Sequence, residues 1–215
     1  MGRAPVIWPP VTDHAAPSRQ RVVVLAGPSG SGKSRLAARL HTAHGWPIFR
    51  LDDFYRDEDD PSMPRSDGLG IVDWDHPDSW NGDLAVASLC ELVDAGSTDT
   101  PVYDIATSRA VGHHEVTAGP ADLIVAEGIF AAEVVDRLRE CGVLHSAWCV
   151  HHRPSVTFVR RLARDLTERR KPPVTLVRRG LALMRAEPDI VRRQTALGAR
   201  PARPADIERE LAASG

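Results

Sequence analysis

The sequence predicts an α/β fold, a doubly wound parallel sheet flanked by helices, and three observations predict it. A β-branched apolar run from Arg21 to Gly27 has the pattern of a strand buried on both faces. A glycine-rich segment and an apolar stripe at helical spacing follow it directly, in the order strand, loop, helix. Downstream, short apolar runs keep alternating with helical stretches, which is how a parallel sheet is wound. A chain of 215 residues, 42% hydrophobic and 26% charged, suffices for one such core and hardly for two.

Residues 1–20 carry Pro5, Pro9, Pro10 and Pro17 and lack an uninterrupted apolar core, so they read as an irregular leader and not a secretory signal. After the first strand, Leu36, Ala37, Leu40 and Ala43 place a helix over Lys33 to His44, closed by Gly45. Pro47 to Leu51 is a second short strand. It opens into an acidic, proline-rich stretch whose residues 57–80 lack periodicity, the mark of a long functional loop with short helical turns. Asp83 to Ala95 is an amphipathic helix stopped by Gly96. Thr100 to Tyr103 and Val111 to Val116 flank a polar turn and predict a hairpin. Asp122 to Glu127 is a buried strand, Ala131 to Cys141 a helix and Ser146 to His151 a strand. An arginine-rich helix over Pro154 to Arg170 and a helix over Val174 to Ala186 come next. The expected organisation is therefore the leader, a single domain over 21–200, and a Pro- and Ala-rich tail over 201–215 with a closing helix near Asp206 to Ala213.

Composition removes several classes of function. No stretch approaches the roughly 18 apolar residues of a membrane span. Cys90, Cys141 and Cys149 make neither an even disulfide set nor a metal pair, so free thiols, a cytoplasmic location and no structural zinc are expected. Net charge is −2, yet Leu51 to Asp104 holds fifteen acids against two arginines, and Arg153 to Arg209 holds fifteen bases against six acids. Such asymmetry fits a nucleic-acid binder or an enzyme gripping a polyphosphate with one half. The basic third lacks interleaved aromatics beyond Phe158, which disfavours nucleic acid. Only Lys33 and Lys171 are lysines among 27 basic residues.

One of those two lysines completes a motif. Gly27, Pro28, Ser29, Gly30, Ser31, Gly32, Lys33 and Ser34 satisfy G-x-x-x-x-G-K-S/T between a predicted strand and a helix, the context of a P-loop. Its glycines let backbone N–H groups turn around a phosphate, its lysine reaches the β/γ oxygens, and its serine hydroxyl ligates Mg²⁺. Glu127 ends a buried apolar strand, where a carboxylate is costly without a partner such as Mg²⁺ or its water shell. Gly128 after it permits close backbone approach. Asp52 and Asp53 project from the carboxyl edge of their strand, where ligands bind in open α/β sheets. No N-K-x-D segment for reading guanine is present.

Five segments in order resemble the uridine kinase (uridine-cytidine kinase) family of P-loop kinases, with phosphoribulokinase and type I pantothenate kinase as relatives. They are the P-loop, LDDFY (Leu51 to Tyr55), DWDHPDSWN (Asp73 to Asn81), PVYDIATSR (Pro101 to Arg109) with IVAEGIF (Ile124 to Phe130), and RRLARDLTERRK (Arg160 to Lys171). The resemblance implies a P-loop NTPase fold with a β-hairpin substrate region and an arginine-rich lid helix. It implies ATP and Mg²⁺ as cofactors, with Gly27, Ser29, Gly30, Ser31, Gly32, Lys33, Ser34 and Arg35 on the nucleotide and Ser34 and Glu127 at the metal. Asp52 is implied as base or hydroxyl orienter, its alternative a contact to the water shell of Mg²⁺. Tyr55, Asp75, His76, Tyr103 and Arg109 fall in segments that hold the acceptor. Arg161, Arg164 and Arg169 match the lid pattern that neutralises the transferring phosphoryl group.

Solvated loop acids, turn caps, a core tyrosine and a solvated helix face are the plain alternatives for Asp52, Asp75, Tyr55 and each lid arginine. The segment DIATSR departs from the family's D-F-x-x-H-S-R. It is one residue shorter, has Ile105 for the aromatic and lacks the histidine, at positions that contact the pyrimidine in the family. The expected activity is ATP-dependent transfer to the primary hydroxyl of a small molecule, foremost a nucleoside. A different acceptor, or an ATP-binding regulatory switch without kinase activity, is the alternative. The expected partner is a small molecule and neither nucleic acid nor membrane, and the family resemblance implies a homo-oligomer.

Overall fold

The structure is a computed structural model and describes residues 19–66, 70–152 and 187–213. Its main sheet has five parallel strands in the order β2 (Ile48–Arg50), β5 (Ile124–Glu127), β1 (Val22–Ala26), β6 (Leu144–Val150), β7 (Arg200–Ala202). Side chains alternate across β1 and feed two cores. Val22, Val24 and Ala26 join Phe49, Leu51, Leu89 and Leu138 on one face. Val23 and Leu25 join Leu36, Leu40, Val125, Ile207 and Leu211 on the other. Burial on both faces explains the unbroken apolar runs of β1 and β5.

Helix α1 (Lys33–His44) starts from Gly32 in a left-handed conformation and ends at Gly45, whose N–H returns to the His41 carbonyl. Helix α2 (Gly82–Ala95) is capped by Asn81, which accepts from the Leu84 N–H at 3.1 Å, and stops at left-handed Gly96. The hairpin of β3 (Ser97–Asp104) and β4 (Arg109–Thr117) stands apart as a two-stranded sheet, and Asp104 is its turn residue, accepting from the Ala106 N–H and the Thr107 hydroxyl.

Three expectations change. The stretch read as a helix from Ala131 begins as a 3₁₀ turn (Ala131–Val134) and becomes α3 only over Val135–Glu140. Residues 187–196 form a helix, α4, that the sequence reading leaves out. The stretch read as a tail supplies β7, a strand not expected there, while its expected closing helix is present as α5 (Pro204–Ala212), which buries Ile207 and Leu211 against α1, with Arg39 paired to Glu208 at 2.6 Å. The predicted helices over Pro154 to Arg170 and Val174 to Ala186 lie outside the described residues, as do Arg161, Arg164 and Arg169. No described helix is long and apolar enough to cross a membrane.

Candidate active site

Register decides what meets at the carboxyl edge of the sheet. Glu127, the last residue of β5, lies opposite Leu25 of β1 and Arg50 of β2. The loops that follow these three adjacent strands therefore leave side by side. They are the glycine loop Gly27–Gly32, the 3₁₀ turn Leu51–Phe54 with Asp52 and Asp53, and the segment Gly128–Phe130.

The glycine loop needs its glycines. Gly27, Gly30 and Gly32 have φ of 141°, 80° and 92°, outside the range ordinary side chains adopt. A Cβ on Gly27 would also lie 2.4 Å from the Val150 carbonyl oxygen. Lys33 is buried, with its Nζ donating to the carbonyls of Gly27 at 2.9 Å and Pro28 at 3.3 Å. Ser31 Oγ is buried with no hydrogen-bond partner among the described residues, a polar atom in the loop available to a ligand. Ser29 in the loop, and Ser34 and Arg35 at the start of α1, are exposed.

The Ser34 hydroxyl donates to both carboxylate oxygens of Glu127, at 3.0 and 3.1 Å. Burial pushes the Glu127 carboxyl above its ordinary value, and the nearby Lys33 charge pulls it back. Hard oxygen donors in this number suit a magnesium ion, which keeps several waters and takes one or two protein ligands. No group of three or more His, Cys, Asp or Glu among the described residues is arranged to hold a metal. The donor set thus fits Mg²⁺ at a phosphate better than a protein-caged ion.

Asp52 sits beside this pair. Its Oδ1 accepts the Ile129 N–H at 2.8 Å. Burial raises its pKa, opposed by that hydrogen bond and by Lys33 and Arg50. Gly128 makes the approach feasible, since a Cβ there would lie 2.7 Å from Asp52 Oδ1. Asp53 is buried and turned to Arg50 at 3.5 Å, a structural ion pair.

Two hollows adjoin these groups. One of about 320 Å³ is lined by Gly27, Pro28, Ser29, Asp75, Ile129, Phe130, Ala132, Glu133, Ile190, Arg193 and Gln194. It places Asp75 on a common wall with the glycine loop. The other, about 190 Å³, is lined by Tyr55, Trp74, Tyr103, Ile105 and Ser108. Tyr55 meets Trp74 and Tyr103 at ring separations of 5.8 and 5.7 Å, and its hydroxyl donates to the Trp74 carbonyl. The Tyr103 hydroxyl donates to the Arg56 carbonyl, and burial pushes its pKa up to about 12.

Other predicted site residues have local partners. His76 caps the 3₁₀ turn Pro77–Ser79, accepting the Asp78 N–H at 3.1 Å. Asp75 and Asp78 do not cap it, and the Asp75 N–H donates to Asp73 Oδ1. Arg109 pairs with Asp59 at 2.7 Å and, with the Ala110 N–H on Asp57, ties the hairpin tip to the acidic loop. Sequence reasoning missed the Ile129 N–H and Gln194. Gln194 falls three residues after Val191 and three before Leu197, a polar residue on a stripe packed against the core, which was the available signal.

Comparison with known proteins identifies the family. The sequence model of the Phosphoribulokinase / Uridine kinase family matches residues 22–195. A uridine kinase from Deinococcus deserti is 31% identical over 178 residues, covering 81% of each chain. One from Lactobacillus johnsonii is 29% identical over 171 residues, 78% of each. Among solved structures, a candidate fructose transport system kinase from Silicibacter sp. TM1040 superposes with a TM-score of 0.58 at 21% identity, covering 89% of this chain and 91% of that one, a likeness of fold.

Proposed function

Since the chain belongs to the phosphoribulokinase / uridine kinase family, and is thereby an ATP-dependent kinase that phosphorylates a hydroxyl group, we propose that its acceptor is a nucleoside, phosphorylated on the primary hydroxyl as in a uridine kinase. The observation that carries this reading is the aromatic alcove of Tyr55, Trp74 and Tyr103, whose Tyr55 ring lies within electrostatic reach of Asp52 and meets Phe130, a residue of the hollow lined by the glycine loop. Three rings offer a flat heterocycle an aromatic surface on which to stack.

In this mechanism Asp75, on the wall shared with the glycine loop, accepts hydrogen bonds from the ribose diol. Asp52 Oδ1 is held by Ile129, which leaves the second oxygen to orient the acceptor hydroxyl and take its proton. Burial raises the proton affinity of Asp52 and so strengthens it as a base. Lys33 and the loop N–H groups hold the phosphates of ATP. Ser34 and Glu127 would hold Mg²⁺, which would supply neutralisation of phosphate charge there. Arg161, Arg164 and Arg169 enter on their sequence pattern alone, as charges for the transferring group. Positioning and electrostatics account for the barrier reduction.

Acceptor-stimulated ADP release, measured over nucleosides, pantothenate and sugar phosphates, tests the reading. Uridine or cytidine should stimulate release. Stimulation by a sugar phosphate or pantothenate, with every nucleoside at baseline, refutes the nucleoside assignment.

A further inference from the structure

Gln194 lies on α4, distant in sequence from every motif, yet its side chain is buried with 7% exposure. Its Nε2 donates to the Ile129 carbonyl at 3.3 Å, and its Oε1 accepts from the Cys149 thiol at 3.3 Å. The carbonyl fixes the amide's orientation, because a carbonyl accepts only and must face the NH₂ group. Cys149 can donate at neutral pH, since burial pushes its pKa up to about 11. The same residue, Ile129, presents its N–H to Asp52 Oδ1 at 2.8 Å. Asp52 and Gln194 thus grip one residue through its two flanking peptide groups.

From this we infer that Gln194 is a positioning residue for phosphoryl transfer: it clamps the Ile129 carbonyl and thereby sets the N–H that holds Asp52. The inference rests on the role given to Asp52 above. Physically, Ile129 follows Gly128, a residue without a side chain to anchor it, and precedes the 3₁₀ turn Ala131–Val134. A short loop of this kind has two rotatable bonds per residue and needs a tether from outside. The α4 amide, seated between β6 and the loop, supplies it.

Two measurements on Gln194→Met, which fills the same space without polar atoms, decide the matter. Amide hydrogen exchange of the ligand-free protein should show the Ile129 N–H exchanging about tenfold faster than in wild type, the loss expected from about one weakened hydrogen bond. An unchanged rate overturns the proposal. With Mg-ATP and uridine, kcat should fall about tenfold while KM for ATP stays within about twofold, as displacement of a reacting group requires. In an Asp52→Asn background the same change should cost nothing further, whereas an independent, multiplying loss makes Gln194 merely structural and overturns the proposal. Should Gln194→Met fail to fold, Gln194→Asn, one methylene short of Ile129, answers both questions. Wild-type protein inactive on uridine would refute the nucleoside reading alone, and normal turnover in Asp52→Asn the role of Asp52 alone, with the exchange rate still deciding the clamp.

Discussion

Gly128→Ala adds one methyl group at a crowded point of the site, directly against Asp52. The new Cβ would lie 2.7 Å from Asp52 Oδ1, 2.9 Å from Leu51 Cβ and 3.3 Å from the Asp52 N. Two of these separations are below 3.0 Å, which real Cβ contacts essentially never reach, so something must move. Leu51 is fully buried and Asp52 is tethered by Ile129, so neither moves freely. If the backbone yields, overpacking costs about 1–3 kcal/mol. If Asp52 yields, its hydrogen bond to Ile129 is lost, and bonds to charged groups contribute about 1.5–3 kcal/mol. Either route destabilises by roughly 1–3 kcal/mol, and at about 2–4 °C per kcal/mol for a chain of this size lowers Tm by roughly 2–12 °C. The retreat of Asp52 should lower kcat by roughly tenfold to a hundredfold, because displacements near 1 Å cost about that factor. The assays are thermal unfolding and acceptor-stimulated ADP release, with Gly112→Ala as control. Gly112 lies on β4, where an added Cβ would meet nothing within 4 Å, so both measurements should match wild type. A Gly128→Ala protein with unchanged Tm and kcat refutes the account of the Asp52 approach.

Lys33→Ala should abolish transfer while the protein still melts cooperatively, and residual turnover near wild type in a coupled ADP assay removes Lys33 from the mechanism. Asp52→Asn should cut kcat far more than ATP affinity, read by steady-state kinetics beside nucleotide titration. The pH profile follows from burial. Asp52 and Glu127 are both raised above their ordinary values, and the base works deprotonated, so activity should fall as pH drops through values above the usual carboxylate range. The linked stability has the opposite sense, since the folded state binds these protons more tightly. Stability declines as pH rises from the unfolded to the raised folded values, and Asp52→Asn should flatten that slope in urea titrations. Trp74→Ala should raise KM for the nucleoside roughly 5- to 150-fold, from about 1–3 kcal/mol of lost stacking, with KM for ATP unchanged. Equal KM values would remove the alcove from acceptor binding.

Some of this was legible in residue order. The glycine loop, its lysine and serine, and the strand and helix around them are local features, dictated by φ > 0 at Gly27, Gly30 and Gly32 and by apolar spacing within a few residues. The hairpin, α2 with Gly96 after its end, and the acid at the end of β5 were equally local. Short segments with mixed signals were harder. The Ala131–Val134 turn tightens to 3₁₀ soon after the chain leaves Gly128 at the carboxyl edge of the sheet. β7 is three residues with a proline, Arg200–Ala202, and becomes a strand because β6 offers an open edge.

What residue order alone determined is therefore the chemistry on offer: a phosphate-gripping loop, a lone lysine within it, carboxylates at strand ends and aromatics on the substrate segments. Only the tertiary structure decided that β2, β5 and β1 lie side by side, so that Asp52, Glu127 and Ser34 converge, that His76 and Arg109 serve local contacts, and that Gln194 reaches Ile129. The reason is range. Backbone conformation and amphipathic period are set by near neighbours, whereas strand order is set by which apolar faces bury one another across the whole chain.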